Sequence, residues 1–210
     1  MTSKTDPKYE NPIDNIFYKL SEPIMPILYK LNITPNHVTL LGNIPGILSS
    51  YYLYTNKFIY FVICLVISHF TDSLDGQYAR KYNMVSKYGD FLDTASDFLK
   101  FFLLLIVVIV KFDFKKMFKY NTFLLILTII SLILTAYHNG CIEKVKRKYE
   151  NTDKSDNKTY VISHTDTLSC PIENKENVRK FLSISRYFSN ASGMIFAMIL
   201  LYQSRKFRTT

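Results

Sequence analysis

Five apolar runs free of Asp, Glu, Lys and Arg, at residues 38–54, 58–70, 101–110, 122–137 and 187–202, constrain the fold of this chain more than any other feature. A helix rises 1.5 Å per residue and needs about 20 residues to cross the hydrocarbon of a bilayer. The second and third runs are short by themselves, and they reach that length only if helix continues from each into the charged stretch between them. A soluble all-α protein would have to cover all five stretches within 210 residues, which leaves too little polar surface to enclose them. The expectation is one domain, an all-α bundle of five membrane-crossing helices.

The stretch between the second and third runs is acidic in a fixed pattern. Asp72-Ser-Leu-Asp75-Gly76-Gln-Tyr-Ala79-Arg80 is followed by eight residues and then by Gly89-Asp-Phe-Leu-Asp93-Thr-Ala-Ser-Asp97. Ionised groups next to hydrocarbon are costly unless a cation or a wet cavity stabilises them, so acids at this density mark a functional site. Residues three and four apart share a helix face, which puts Asp72, Asp75, Gly76 and Ala79 on one stripe and Asp93 and Asp97 on another. If residues 81–88 turn the chain between two antiparallel helices, with Gly89 at the start of the second, the four carboxylates converge. Carboxylates alone suit a hard divalent ion such as Mg²⁺ or Mn²⁺, with phosphate and water completing its shell.

The spacing D-x2-D-G-x2-A-R-x8-G-x3-D-x3-D resembles the signature of the CDP-alcohol phosphatidyltransferase family, and every fixed position is matched. The motif covers about an eighth of the chain. Ile33-Thr34-Pro35-Asn36-His37-Val38-Thr39 is similar to the family's usual entry to its first span, and Arg186-Tyr187-Phe188 more weakly to its last helix.

The resemblance implies a polytopic membrane enzyme of phospholipid biosynthesis. Such an enzyme transfers a phosphatidyl or phospho-alcohol group from a CDP-linked lipid or alcohol to an acceptor hydroxyl and releases CMP. It implies Asp72, Asp75 and Asp93 as metal ligands. Asp97 becomes the general base, which can also touch metal. Gly76, Ala79, Arg80 and Gly89 are implied in CDP and phosphate binding, the small residues because a nucleotide must approach the helix closely and Arg80 because its guanidinium forks onto phosphate. Asn36 and Thr39 could line the nucleotide cavity, although helix-capping and turn chemistry explains them nearly as well. Arg186 is a candidate for binding the acceptor, with anchoring of the last helix at the interface as the equal alternative.

The family commonly has six spans with both ends cytosolic, so five or six transmembrane helices are expected. The stretch that would supply a sixth, residues 139–180, is instead polar and reads as a cytosolic loop. Residues 1–37 read as a cytosolic segment, and residues 38–210 as the membrane domain. Within the former, Ile13, Ile16, Phe17 and Leu20 recur at helical spacing, as in an amphipathic helix lying on the membrane surface. No secretory leader is evident in the polar N-terminus. With the site facing the cytosol, sixteen Lys and Arg outside the spans fall on that side and eight on the other, a moderate positive-inside bias.

Net charge is +9, yet no nucleic-acid-binding motif accompanies it, so a basic surface beside anionic lipid is the expectation and a nucleic-acid partner is not. Homodimers are common in the family, and nothing in the residues tests this. Cys64, Cys141 and Cys170 are odd in number and lack metal-like spacing, which suggests neither a disulfide framework nor a metal site. His69 and His138, at span ends, read as hydrogen-bonded structural residues more readily than as ligands. A divalent-ion carrier is the rival from another class, but transport favours acids near mid-bilayer and has no need of Gly76, Ala79 and Arg80.

Overall fold

The computed structural model describes residues 8–145, 170–188 and 190–208, and among these it is helical throughout with no strand. The order is α1 (Pro12–Ser21), α2 (Met25–Lys30), α3 (Pro35–Tyr54), α4 (Phe58–Lys81), α5 (Lys87–Lys111), α6 (Phe114–Lys144), α7 (Lys175–Ser185) and α8 (Asn190–Ser204).

The helices start where side-chain caps satisfy their first amides. Asn11, Thr34, Ser86, Asp113 and Asn174 cap α1, α3, α5, α6 and α7. At Thr34 the cap is reciprocal, because the His37 ring accepts from the Thr34 amide at 3.2 Å. The turns leaving α2, α3 and α4 each place an asparagine, Asn32, Asn56 or Asn83, at positive φ, a backbone region that asparagine tolerates better than most side chains.

Five long helices, α3, α4, α5, α6 and α8, run alternately up and down. Leu53, Phe61, Phe112, Met117, Leu200 and Leu201 close one end. There the Arg208 guanidinium donates to the Leu53 and Tyr54 carbonyls at 2.6 and 2.7 Å, completing the C-terminus of α3. At the other end Met25, Val38, Leu74 and Tyr78 pack together, and Tyr9, Ile142, Val145, Val178 and Leu182 form a separate cluster. By length and apolarity three stretches suffice to cross a membrane, Phe58–Lys81, Phe114–Ile142 and Lys175–Phe207. The acidic motif itself dilutes α5, since Asp93, Asp97 and Lys100 all lie within its length, and α3 is diluted by Pro35, Asn36, Asn43, Pro45 and its serines.

Small residues bring α3 and α4 together. Gly42, Gly46, Ser49 and Ser50 are buried on α3, and the Ser68 hydroxyl of α4 donates to the Gly42 carbonyl at 3.2 Å. Close backbone approach through Gly and Ser is how helices pack where no hydrophobic drive separates them from lipid. α6 has non-helical backbone angles at Asn121, whose amide donates to the Ser204 hydroxyl of α8 at 2.8 Å.

Two expectations change in this half of the molecule. The described ends of the 139–180 stretch are helical, since α6 continues to Lys144 and α7 begins at Lys175, while its central residues 146–169 lie outside the described residues. The cysteine expectation is corrected: Cys141 and Cys170 form a disulfide at the end of α6, and Cys64 is free. Their 29-residue separation carries no motif; the pairing arises because the chain returns from its loop to the helix end that it left.

α1 buries a polar face. Asp14 and Ser21 point into the molecule, whereas Ile16 and Leu20 are more than half exposed. The apolar spacing noted in the sequence is therefore split: Ile16 and Leu20 lie on the outer side of α1, while the Phe17 ring packs edge-on against His69 and Phe70 of α4 at 5.6 and 5.9 Å.

Candidate functional site

The motif occupies the last three turns of α4 and the first three of α5, joined by the turn at residues 82–86. Ser86 and Gly89 fix the start of α5, the Gly89 amide donating to the Ser86 hydroxyl at 3.0 Å. A β-carbon at Gly89 would stand 3.0 Å from the Asn36 side-chain oxygen, so glycine there lets the start of α3 approach the start of α5.

Asp72 from α4 and Asp93 and Asp97 from α5 converge, each offering a carboxylate oxygen within 4.8 Å of the others. Octahedral coordination at 2.0–2.1 Å puts ligand oxygens roughly 3 to 4 Å apart, so a small inward movement of these three fits a Mg²⁺-sized ion. The donor set, all carboxylate and open to water at Asp97, suits a hard divalent cation and not a soft one.

Asp75 is not in that group. It is buried, and its carboxylate accepts from the Thr39 hydroxyl of α3 at 2.5 Å. Thr39 thus acts through an aspartate of the motif. Asn36 is half-buried beside Gly89, at the mouth formed by α3 and α5.

Gly76 has a use that spacing alone does not reveal. The Arg80 guanidinium folds back over it, and a β-carbon at Gly76 would stand 3.2 Å from Arg80 Nη1. Glycine here gives the arginine a resting place along the helix. Ala79 lies half-buried one turn beyond Asp75, and its carbonyl accepts from the Met84 amide at 2.8 Å, closing the end of α4. Burial, with Glu10 adding to it, pushes the Tyr18 phenol of α1 well above its ordinary range, while Arg80 pulls the other way. Tyr18 and Glu10 are therefore neighbours of the motif arginine.

Three contributors were not recognisable from the motif. Lys100, one turn beyond Asp97, places its ammonium 3.1 Å from Asp72 and 2.7 Å from Asp97; the only signal was its helical spacing from Asp97. Asp14 of α1 meets His69 of α4 at 3.0 Å, three residues before Asp72. Ser96, buried on α5, accepts from the Asn43 amide of α3 at 2.9 Å and fixes the helix face adjoining Asp97.

Arg186 lies in a 3₁₀ turn between α7 and α8. Its guanidinium donates to the Lys8 carbonyl and the Tyr187 hydroxyl, both at 2.6 Å, and its own carbonyl accepts from Asn11 at 2.9 Å. These contacts tie the N-terminal segment to the last helix. His138 shares a 2.7 Å hydrogen bond with Ser185, a structural link between α6 and α7.

Residues 32–156 match the family profile described as CDP-alcohol phosphatidyltransferase. Among curated proteins, the chain is 38% identical over 97 residues to an archaetidylinositol phosphate synthase of Pyrococcus horikoshii, a stretch covering 46% of this chain and 47% of that protein. It is 34% identical over 82 residues to a phosphatidylinositol phosphate synthase of Cutibacterium acnes, covering 38% of this chain and 39% of that one. An uncharacterized protein of Aquifex aeolicus is 33% identical over 97 residues, 46% of this chain and 45% of its own length. The chain spans under half the length of the curated relatives it matches. No solved structure matches it significantly.

Proposed function

This chain belongs to the CDP-alcohol phosphatidyltransferase family, and we propose that it is an integral membrane, divalent-metal-dependent transferase that moves a phosphatidyl group from a CDP-linked lipid to the hydroxyl of a polar alcohol. The observation that carries this reading is the convergence of Asp72, Asp93 and Asp97, brought together from two antiparallel helices that otherwise have no reason to place three carboxylates side by side. The names of two relatives contain an inositol phosphate lipid. That supports a phosphorylated polyol as the acceptor class, in preference to diacylglycerol.

Asp72, Asp93 and Asp97 would hold Mg²⁺ or Mn²⁺, with Asp75 held ready behind them by Thr39. When bound, the ion supplies charge neutralisation at the diphosphate and at the departing CMP. Arg80 forks onto the phosphate oxygens after leaving its place over Gly76. Asp97, the most exposed of the three acids, takes the proton of the acceptor hydroxyl. The acceptor oxygen bonds to the phosphorus that carries the lipid alcohol, the phosphoanhydride bond breaks, and CMP leaves with the electron pair. Asn36, beside Gly89, faces the incoming nucleotide. Arg186 is kept for the acceptor side, its role there being to hold the N-terminal segment in place.

All five long helices cross the membrane in this reading, α3 and α5 included, with the motif end on the cytosolic side, where the Lys and Arg count is higher. α1 then rests at the interface through Ile16 and Leu20.

The test is Mg²⁺-dependent CMP release by purified protein in lipid. CDP-diacylglycerol, CDP-choline and CDP-ethanolamine are screened against inositol phosphate, inositol, glycerol phosphate, serine and diacylglycerol, alongside Asp97→Asn. Turnover by the wild type alone with CDP-diacylglycerol and a polar acceptor is expected. Folded, metal-binding protein that releases no CMP with any pair would instead favour an ion carrier or an inactive scaffold.

A further inference from the structure

We propose that Lys100 is a built-in counter-cation that takes the place of one divalent ion between Asp72 and Asp97, so that this chain holds a single divalent ion in a site whose carboxylates could otherwise hold two. The inference rests on the metal-dependent reading of the site. Lys100 Nζ stands 3.1 Å from Asp72 Oδ1 and 2.7 Å from Asp97 Oδ1, bridging an acid of α4 and an acid of α5. A second ion bound to these same two oxygens would need the position that the ammonium occupies. An ammonium has three donors and no lone pair, so it cannot join a metal's shell as a ligand; it excludes a cation from that point.

The arrangement is built into the fold and is not a chance surface pairing. Lys100 is one turn further along α5 than Asp97, so its stem must run beside α3 to bring the ammonium back to the acids. Gly46 leaves that path open: a β-carbon at this position would stand 2.7 and 2.8 Å from Lys100 Cδ and Cγ. The lysine side chain is only 18% exposed, far below the usual value for a solvated lysine. A stem confined in this way holds its charge at one place, whereas an exposed lysine loses most of its pairing energy to side-chain entropy and solvent. One ion would then be left to Asp93 and to the oxygens of Asp72 and Asp97 that the ammonium does not take up.

Counting bound ions tests this directly. Wild-type protein in nanodiscs is titrated with Mn²⁺, and free ion is followed by electron paramagnetic resonance. The same titration is made on Lys100→Met, which keeps the stem beside Gly46, and on Lys100→Gln. About one Mn²⁺ per wild-type chain is expected, rising to about two in both variants. Two ions on the wild type would overturn the proposal and leave the metal-dependent reading intact, and so would a single ion on variants that melt like the wild type. No Mn²⁺ bound by any of the three would overturn both together.

Discussion

Asp14 and His69 join across 3.0 Å, an acid in the N-terminal segment and a histidine one turn before the first aspartate of the motif. Asp14 is 7% exposed and His69 19%, so each is the other's shelter from an apolar surrounding. The link explains why α1 packs with its polar side inward. It also fastens α1 to α4 one turn before Asp72. Asp14→Leu is expected to leave His69 without its acceptor and to cost about 1–3 kcal/mol of stability, the range for an orphaned buried polar group. Turnover should fall by more than melting does, because Asp72 lies three residues from His69. Melting temperature and CMP release on the same preparations check this, and equal activity in a destabilised variant would break the link between α1 and the site.

Thr39 serves Asp75 through a 2.5 Å hydrogen bond between two buried groups. Thr39→Val keeps the volume and removes the donor, leaving the carboxylate without that partner. A loss of about 1–3 kcal/mol is expected, together with weaker Mn²⁺ binding. Thr39→Ser should restore both. If the valine variant binds Mn²⁺ as the wild type does, Asp75 takes no part in the metal site.

At Gly42 the helices α3 and α4 nearly touch. A β-carbon there would stand 2.4 Å from Thr71 Oγ1 and 3.0 Å from Thr71 Cβ. The threonine cannot swing aside freely, because its hydroxyl donates to the Ser68 carbonyl at 2.8 Å. Gly42→Ala should therefore force the helices apart and cost about 1–3 kcal/mol, the penalty of overpacking. Thr71→Ala should recover part of that loss. A double-mutant cycle on thermal unfolding would then show a coupling of about 0.5–3 kcal/mol, as for residues in contact; additive losses would mean that the two positions do not meet.

The acids of the site were legible because one helical period and one turn suffice to bring Asp72, Asp93 and Asp97 together, and both are local properties of residues 72–97. The turn itself, at residues 82–86, fell inside the stretch expected for it. What escaped came from elsewhere in the chain. Asp14 is 55 residues from His69 and Thr39 is 36 from Asp75, and no spacing rule reaches across such distances. Spacing marks Gly76 as room for a nucleotide, but it does not reveal that Arg80 lies over the same glycine. Periodicity marked Ile13, Ile16, Phe17 and Leu20 as the meaningful face of α1. Of these, Phe17 meets the bundle, its ring against His69 and Phe70 of α4; Asp14 and Ser21 are buried beside it, and Ile16 and Leu20 face outward.

The Cys141–Cys170 disulfide and the cytosolic orientation proposed above make opposing demands, since cytosolic thiols are ordinarily kept reduced. The fold resolves the conflict by enclosure. Cys141 is fully buried and Cys170 is 4% exposed, among Tyr9, Ile142, Val145, Val178 and Leu182. Exchange requires a thiolate to reach a sulfur, so an enclosed disulfide resists a reductant that an exposed one would not. The bond closes a loop with a sequence separation of 29, for which the chain-entropy relation gives about 3.6 kcal/mol. It also holds the start of α7 beside α6, helped by the Lys144 ammonium, which donates to the Cys170 and Ile172 carbonyls at 3.0 and 2.7 Å. Protein alkylated during extraction without reductant should therefore carry one label, on Cys64, and a linked Cys141–Cys170 peptide. Mild reductant should leave that pattern unchanged until the protein is unfolded. Cys141→Ser/Cys170→Ser should melt lower while its Mn²⁺ binding stays intact, because the acids are held by α4 and α5. Three labels on the native protein would show that the pair is reduced in the membrane, and the stabilising role would then rest on Lys144 and the apolar cluster alone.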